Sequence, residues 1–332
     1  MGSVAVPSSQ PAEVPVVCAG VVVADHLCPP IDHLPSAGEL VRSEDLVLNI
    51  GGLASNVSVA LAKLGVRSSL CGRVGNDVFG RFVAETLRKH GVDVSALVVD
   101  PDRATSQTLI INVKGQDRRF IHSFGANVGL SVDDLDAALE PAPKVLYVGG
   151  YLILPGLDAR ALADRFARAR QRGTTTVLDV ACPGPADYLS LLEPVLPETD
   201  VFLPNTDEAA LILKGITDPV LQAETFRERG AGRVVITLGE RGAISLSGEH
   251  RLRVGTYPVA FVDATGGGDA FDAGYIAGLV AGLDERGCLK LASALGASCV
   301  RAIGTTDGLF DREEADRFIA EHELEIEPIG IG

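Results

Sequence analysis

The chain has 332 residues, 46% hydrophobic and 22% charged, with Lys+Arg 29 against Asp+Glu 44 and a net charge of −15. This composition excludes disordered and fibrous classes, and the length suits one large α/β domain with a small accessory piece. The negative field argues against nucleic acid and anionic membrane surfaces as partners, because no basic cluster larger than pairs such as Arg118-Arg119 interrupts it.

The opening MGSVAVPSSQPAEVP lacks the basic start and apolar stretch of a signal peptide, and its Pro and Ser predict a flexible tail over residues 1–13. No later window has the apolar length of a membrane span, so the expected location is the cytoplasm. Cys18, Cys28, Cys71, Cys182, Cys288 and Cys299 form no CxxC pair and read as reduced core residues.

From residue 14 to 332 a single domain is expected, in which β-rich apolar runs alternate with helical patterns. VPVVCAGVVVA reads as a first strand, followed by a helix from Asn56, the strand SSLCGRV, a helix from Asp77 and the strand KVLYVGG. A helix near 157–171, the strand TTTVLDV, the strand DVFLP, a helix from about Asn205, and the strands RVVITLG and AISLSG come next. Two long helices, around 269–282 and 286–302, close the pattern. The order predicts a doubly wound α/β fold: a mostly parallel sheet, right-handed connections and helices on both faces. Segments 26–49 and 100–126 break the alternation; TSQTLIINV and RRFIHSF flank a turn at Lys114-Gly115-Gln116-Asp117 and predict a small antiparallel sheet acting as a lid. Its exposed strand edges predict a homodimer formed through the lid.

The richest chemical signal is FVDATGGGDAFDAGYIAGLVAG, residues 261–282, where three glycines precede a helix. Backbone N–H groups of Gly266, Gly267 and Gly268 at a helix start form an anion site, and Asp269 beside it can accept a proton from a hydroxyl attacking a bound phosphoryl group. The plainer reading is a tight turn with Asp269 opposing the helix dipole. NIGGLASNVSVALAKLG repeats the theme: Gly51 and Gly52 admit a ligand to backbone, and Asn56 either caps the helix or binds a polyhydroxylated ligand. Asp25, at the end of the first apolar run, is placed to accept hydroxyl hydrogen bonds or to end a turn. In PNTDE, Asn205 and Glu208 match a capping pattern as well as a polar pair at a helix start. Thr237, Gly239 and Gly242 make either a hairpin turn or a nucleotide-contacting loop. GxxxxGK[ST], GxGxxG, HExxH and CxxC are all missing, which removes support for P-loop NTPases, dinucleotide dehydrogenases and common zinc enzymes.

Taken in order, these stretches resemble the ribokinase-like (PfkB) carbohydrate kinase family from about Val16 to the last helices. NIGGLASNVSVALAKLG with GRVGNDVFG resembles its N-terminal signature, and VDATGGGDAFDAGYIAGL its C-terminal DTxGAGD signature. PNTDE matches NxxE, VITLGERG the nucleotide loop, and VADH, PSAGE and FGAN match ribokinase-like segments. The resemblance implies an ATP- and Mg2+-dependent kinase acting on a hydroxymethyl group of a sugar or sugar-like acceptor. It makes Asp269 the general base and Gly266, Gly267 and Gly268 the anion hole, with Asn205 and Glu208 organising phosphate and a water-bridged Mg2+. Thr237, Gly239 and Gly242 line the ATP site, and Asp25, Gly51, Gly52, Asn56, Tyr151 and His122 meet the acceptor. A monovalent cation such as K+ falls to Asp263, Thr265 and backbone near Cys299, Ala302 and Gly304. The chain departs from DTxGAGD at Ala264 and Gly267, which leaves the backbone donors intact. It also carries Val23, Leu53 and Tyr151 where ribokinases have Asn, Lys and Glu, which argues against ribose. The competing functions are a nucleoside kinase of the same fold, with Phe120, Phe124 and Tyr151 as base platforms, and a catalytically silent sugar-binding regulator. Arg42, Lys114, Arg118 and His122 on the lid are the residues expected to select the acceptor.

Overall fold

A computed structural model describes residues 14–116 and 118–330; the tail expected over 1–13 lies outside them. Among the described residues the main sheet has ten strands. Their order is Ile326–Pro328, Arg251–Val254, Ala243–Ser247, Arg233–Thr237, Val201–Phe202, Thr175–Leu178, Val145–Gly149, Val16–Gly20, Ser68–Gly75 and Leu97–Asp100. The pairs from Arg233–Thr237 to Leu97–Asp100 are parallel, and the strands beyond Arg233–Thr237 are antiparallel. Because helices cover both faces, alternate residues of one strand serve two cores: Val16 and Cys18 join one, Val17 and Ala19 the other. Helices Leu53–Lys63, Gly267–Val280 and Glu285–Cys299 pack on the first face. Helices Ala159–Gln171, Thr206–Leu213 and Pro219–Glu228 pack on the second. All six thiols are free.

The apolar run VPVVCAGVVVA does not form one strand. Val16–Gly20 ends in the main sheet, and Val23–Ile31 begins a second sheet. Gly20, at φ 137°, permits the break, since a Cβ there would overlap the Gly149 carbonyl. Asn127, buried in the core, then serves both backbone groups of Val22: its Oδ1 accepts from Val22 N at 3.2 Å and its Nδ2 donates to Val22 O at 2.9 Å. That amide replaces the strand partner the crossing segment lacks. Asp25 consequently sits inside a strand of the small sheet, and not at the carboxyl end of the first parallel strand.

The small sheet runs Val47–Gly51, Val23–Ile31, Gln107–Val113, Arg119–Ser123. Its two outer pairs are antiparallel as expected, whereas the central pair, Val23–Ile31 with Gln107–Val113, is parallel. The cause is topological: both strands follow parallel strands of the main sheet and so leave it in the same direction. The turn at Lys114 and Gly115 forms, with Gly115 at φ 72°. At the other end the chain does not stop with two long helices; helix Arg312–Glu321 and the edge strand Ile326–Pro328 follow. That three-residue strand is too short to show a period in sequence.

Candidate active site

Two glycine-led helices meet at the centre of the cleft. Helix Gly267–Val280 starts from Gly266, whose φ of 77° and contact with Thr305 (2.8 Å from a built Cβ to Thr305 Cα) leave no room for a side chain. A Cβ on Gly268 would meet nothing, so this end of the helix is open and its first-turn N–H groups face the cleft. Gly274 and Gly278 let the same helix lie tightly against Glu285–Cys299: a Cβ at Gly274 would stand 2.6 Å from Leu291 O, and one at Gly278 2.8 Å from Cys288 Sγ. Helix Leu53–Lys63 starts from Gly52, at φ 91°. It begins earlier than the sequence suggests, so Asn56 lies within the first turn and does not cap it. The Asn56 side chain reaches the other helix instead, donating from Nδ2 to Asp269 Oδ2 at 2.7 Å, while its buried Oδ1 has no partner.

Burial is the main influence on Asp269 and pushes its pKa up to about 7; the Asn56 hydrogen bond lowers it and the nearby Asp25 raises it. Asp25 is itself raised to about 6 by burial, against a hydrogen bond from Thr108 and the charge of His26. Its carboxylate lies over Gly51, where a Cβ would overlap Asp25 Oδ2. Asp25 pairs in register with Asn49 on one side and Thr108 on the other, and Thr108 pairs with His122. Residues paired directly share a face, so Asn49, Asp25, Thr108 and His122 form one polar row across the small sheet. Thr108 Oγ1 lies 3.0 Å from His122 Nδ1, and burial lowers the His122 pKa. Asn49 and Thr108 escaped the sequence analysis because only register brings them beside Asp25.

On the other side of Gly267 and Gly268 a cavity of about 510 Å³ is lined by Thr237, Gly239, Gly242, Tyr257 and Phe271 among others. Thr237 and Gly242 belong to a true hairpin between Arg233–Thr237 and Ala243–Ser247, so the turn reading and the cavity-lining position coexist. Asn205 forms a bridge with Thr237. Asn205 and Glu208 also make the full capping box: Asn205 Oδ1 accepts from Glu208 N at 2.9 Å, and Glu208 Oε2 accepts from Asn205 N at 3.0 Å. Burial raises Glu208 to about 7, and Asp269 adds to the shift.

Behind Asp269 is a buried pair the sequence did not reveal. Tyr147 Oη donates within 3.2 Å of both Asp179 Oδ2 and Asp272 Oδ2. Burial first drives both carboxyls well above the ordinary carboxylate range; next comes the charge of Asp272 for Asp179 and that of Asp269 for Asp272, so both shifts favour the protonated forms.

Two assignments change. Tyr151 belongs to the second core, 3% exposed, and its hydroxyl donates to Leu191 O at 3.2 Å, which removes it from the acceptor contacts. The monovalent-cation set does not fit an ion. Asp263 Oδ1 accepts from Arg118 Nη1 at 2.9 Å and from Thr265 N and Oγ1 at 3.1 and 2.8 Å, and Oδ2 accepts from Gly304 N at 3.3 Å. Thr265 and Gly304 thus present donors toward the carboxylate, where an ion needs oxygen lone pairs.

A family model described as pfkB family carbohydrate kinase matches residues 15–311. The chain belongs to that family. Like its pfkB relatives it is an ATP-dependent carbohydrate kinase. A 2-dehydro-3-deoxygluconokinase of Thermoproteus tenax is 32% identical over 281 residues, covering 82% of this chain and 85% of that one. Ribokinase of Mus musculus is 30% identical over 285 residues, with 82% and 85% covered. Among solved structures, Arabidopsis thaliana ribokinase complexed with ribose and ATP superimposes with a TM-score of 0.79 at 23% identity, covering 92% of this chain and 99% of that one. The fold is therefore the ribokinase fold. Among the described residues no helix is long and apolar enough to cross a membrane.

Proposed function

We propose that this pfkB kinase transfers the γ-phosphoryl group of ATP to a hydroxymethyl group of a sugar or sugar-like acceptor, with Asp269 as general base. The observation that carries this reading is the carboxylate of Asp269, placed at the open helix start beside Gly268 with a pKa near 7. A base of that strength is matched to a reaction run near neutrality. The 510 Å³ cavity beyond Gly267 accommodates the nucleotide, with Thr237, Gly239 and Gly242 along it. The acceptor lies between Asp269 and the polar row, so that Asp25, Thr108 and His122 meet its hydroxyls and Asn56 keeps the base oriented. Backbone N–H groups of Gly266 to Gly268 stabilise the charge that develops on the transferred group. Asn205 and Glu208 are the residues that would organise Mg2+ and phosphate. The charge of Asp269 disfavours that of Glu208, and a hydrated hard cation among such oxygen donors would relieve that repulsion. When bound, Mg2+ supplies charge neutralisation on the phosphates.

The deciding experiment is Asp269→Asn. An amide keeps the size of the carboxylate but cannot take the hydroxyl proton, so turnover should fall about 10²–10⁴-fold with ATP affinity retained. A loss below about tenfold would assign the proton to another group.

The small sheet also supports a homodimer. Leu40 and Leu46 on its loops are 89% and 72% exposed, and Leu109 and Ile121, paired across two strands, are 38% and 64% exposed, apolar side chains that a second copy would cover. A single monomeric species in light scattering at micromolar concentration would exclude it.

A further inference from the structure

We infer that Arg118 is the resident cation of the loop that shapes the anion hole, and that its guanidinium makes the kinase independent of monovalent metal ions. The inference rests on the reading of Gly266 to Gly268 as the phosphoryl site.

Asp263 opens the loop leading into Gly266. This loop is tied to the segment after helix Glu285–Cys299: Val262 N and Asp263 N both donate to Val300 O, and Gly266 lies against Thr305. A carboxylate at the junction needs a counter-charge, because its side chain is only 17% exposed. Arg118, the residue before the small-sheet strand Arg119–Ser123, provides one from 145 residues away in sequence, at 2.9 Å and itself 28% exposed. The guanidinium group also stands 5.9 Å from the centre of the Phe120 ring, a second contact that holds it over the loop.

Charge and crowding argue against a metal ion. Arg118 Nη1, Thr265 N and Thr265 Oγ1 all donate to Asp263 Oδ1, and Gly304 N donates to Oδ2 at 3.3 Å. A monovalent ion on the remaining face of Oδ2 would sit beside the guanidinium, like charge against like. The neighbouring carbonyls are engaged as well: Lys63 Nζ donates to Thr306 O at 2.6 Å, and Cys299 Sγ contacts Thr265 O and Thr305 O at 3.3 and 3.4 Å. Two protein cations therefore serve a segment that would otherwise call for an external one. Because Arg118 immediately precedes the small-sheet strand Arg119–Ser123, its contact with Asp263 ties the loop that shapes the anion hole to the sheet that covers the acceptor side.

The test uses the full chain with MgATP in KCl and in tetramethylammonium chloride at equal ionic strength. Melting temperature is read in both salts, and turnover is read with the best acceptor from an ATP-consumption screen of neutral and acidic sugars. The wild type should melt and turn over alike in the two salts. Arg118→Gln should be slowed in tetramethylammonium, with turnover restored by KCl or by Arg118→Lys, and should melt higher in KCl. Wild-type turnover or melting that rises markedly in KCl overturns the inference. So does an Arg118→Gln chain as active as wild type in tetramethylammonium, or one slowed and restored by neither remedy. If no acceptor is turned over at all, the kinase reading fails separately, and the melting comparison still reports on the cation.

Discussion

Asn56 Nδ2 and Asp269 Oδ2 are 2.7 Å apart across 213 residues of sequence, joining the starts of the two glycine-led helices. The bond favours the ionised form of Asp269, opposing the burial that raises its pKa to about 7. Removing the amide in Asn56→Ala should therefore move the acidic limb of the kcat/KM profile to higher pH. A hydrogen bond to a charged group is worth about 1.5–3 kcal/mol, or roughly one to two pH units, with the lower end expected where water refills the space. A profile that keeps its midpoint would mean that the two side chains do not communicate in solution.

Asp25→Ala should act with the opposite sign on the same limb, because the Asp25 charge raises the Asp269 pKa. It should also strip the acceptor of a hydroxyl partner, raising the acceptor KM by roughly tenfold to a hundredfold while the ATP KM stays put. Equal rises in both KM values would contradict the placement of the acceptor on the polar row.

Stability should report on the buried pair behind the site. The folded pKa of Asp272 stands well above its unfolded value of 3.8, so its contribution to stability is complete below about pH 4 and is lost as pH rises through the folded pKa. Asp272→Asn cannot ionise and keeps an acceptor for Tyr147. Its melting temperature relative to wild type should therefore climb as pH increases from 4 to 8. A difference independent of pH would show that the pair does not hold a proton.

The parts of the site that could be read from the chain are those whose physics is local. A glycine run before a helix leaves the helix start free of side chains, and Gly266 to Gly268, just ahead of Asp269, behave accordingly. The capping box of Asn205 and Glu208 closes within three residues. The alternation of strands and helices implied the main sheet because each run buries its own face. What remained hidden depends on pairing between distant segments. Thr108 lies beside Asp25 through a parallel pairing that follows from the direction in which two strands leave the main sheet. Asp263 meets Arg118 across 145 residues of sequence, and Asp179, Tyr147 and Asp272 come together from separate parts of the chain. Asn56 shows the boundary between the two cases: its polarity marked it as a candidate, yet a helix start shifted to Leu53 turned a capping residue into a cross-helix donor.

The parallel pairing at the centre of the small sheet has a mechanical consequence. Its two leaving strands follow Val16–Gly20 and Leu97–Asp100, which are separated in the main sheet by one strand, Ser68–Gly75, and so spring from roots about 10 Å apart on the same rim. Two roots side by side define an axle, whereas a flap closed by a single antiparallel hairpin would hang from one point and could twist. Tilting about that axle carries Asp25, Thr108 and His122 as a rigid leaf, because they are fixed to one another by the ladder. A change in the distance from the leaf to Asp269 would then preserve the spacing within the row, so that, on the function proposed above, an acceptor held by the row would keep the same pattern of hydroxyl contacts as it approached Asp269.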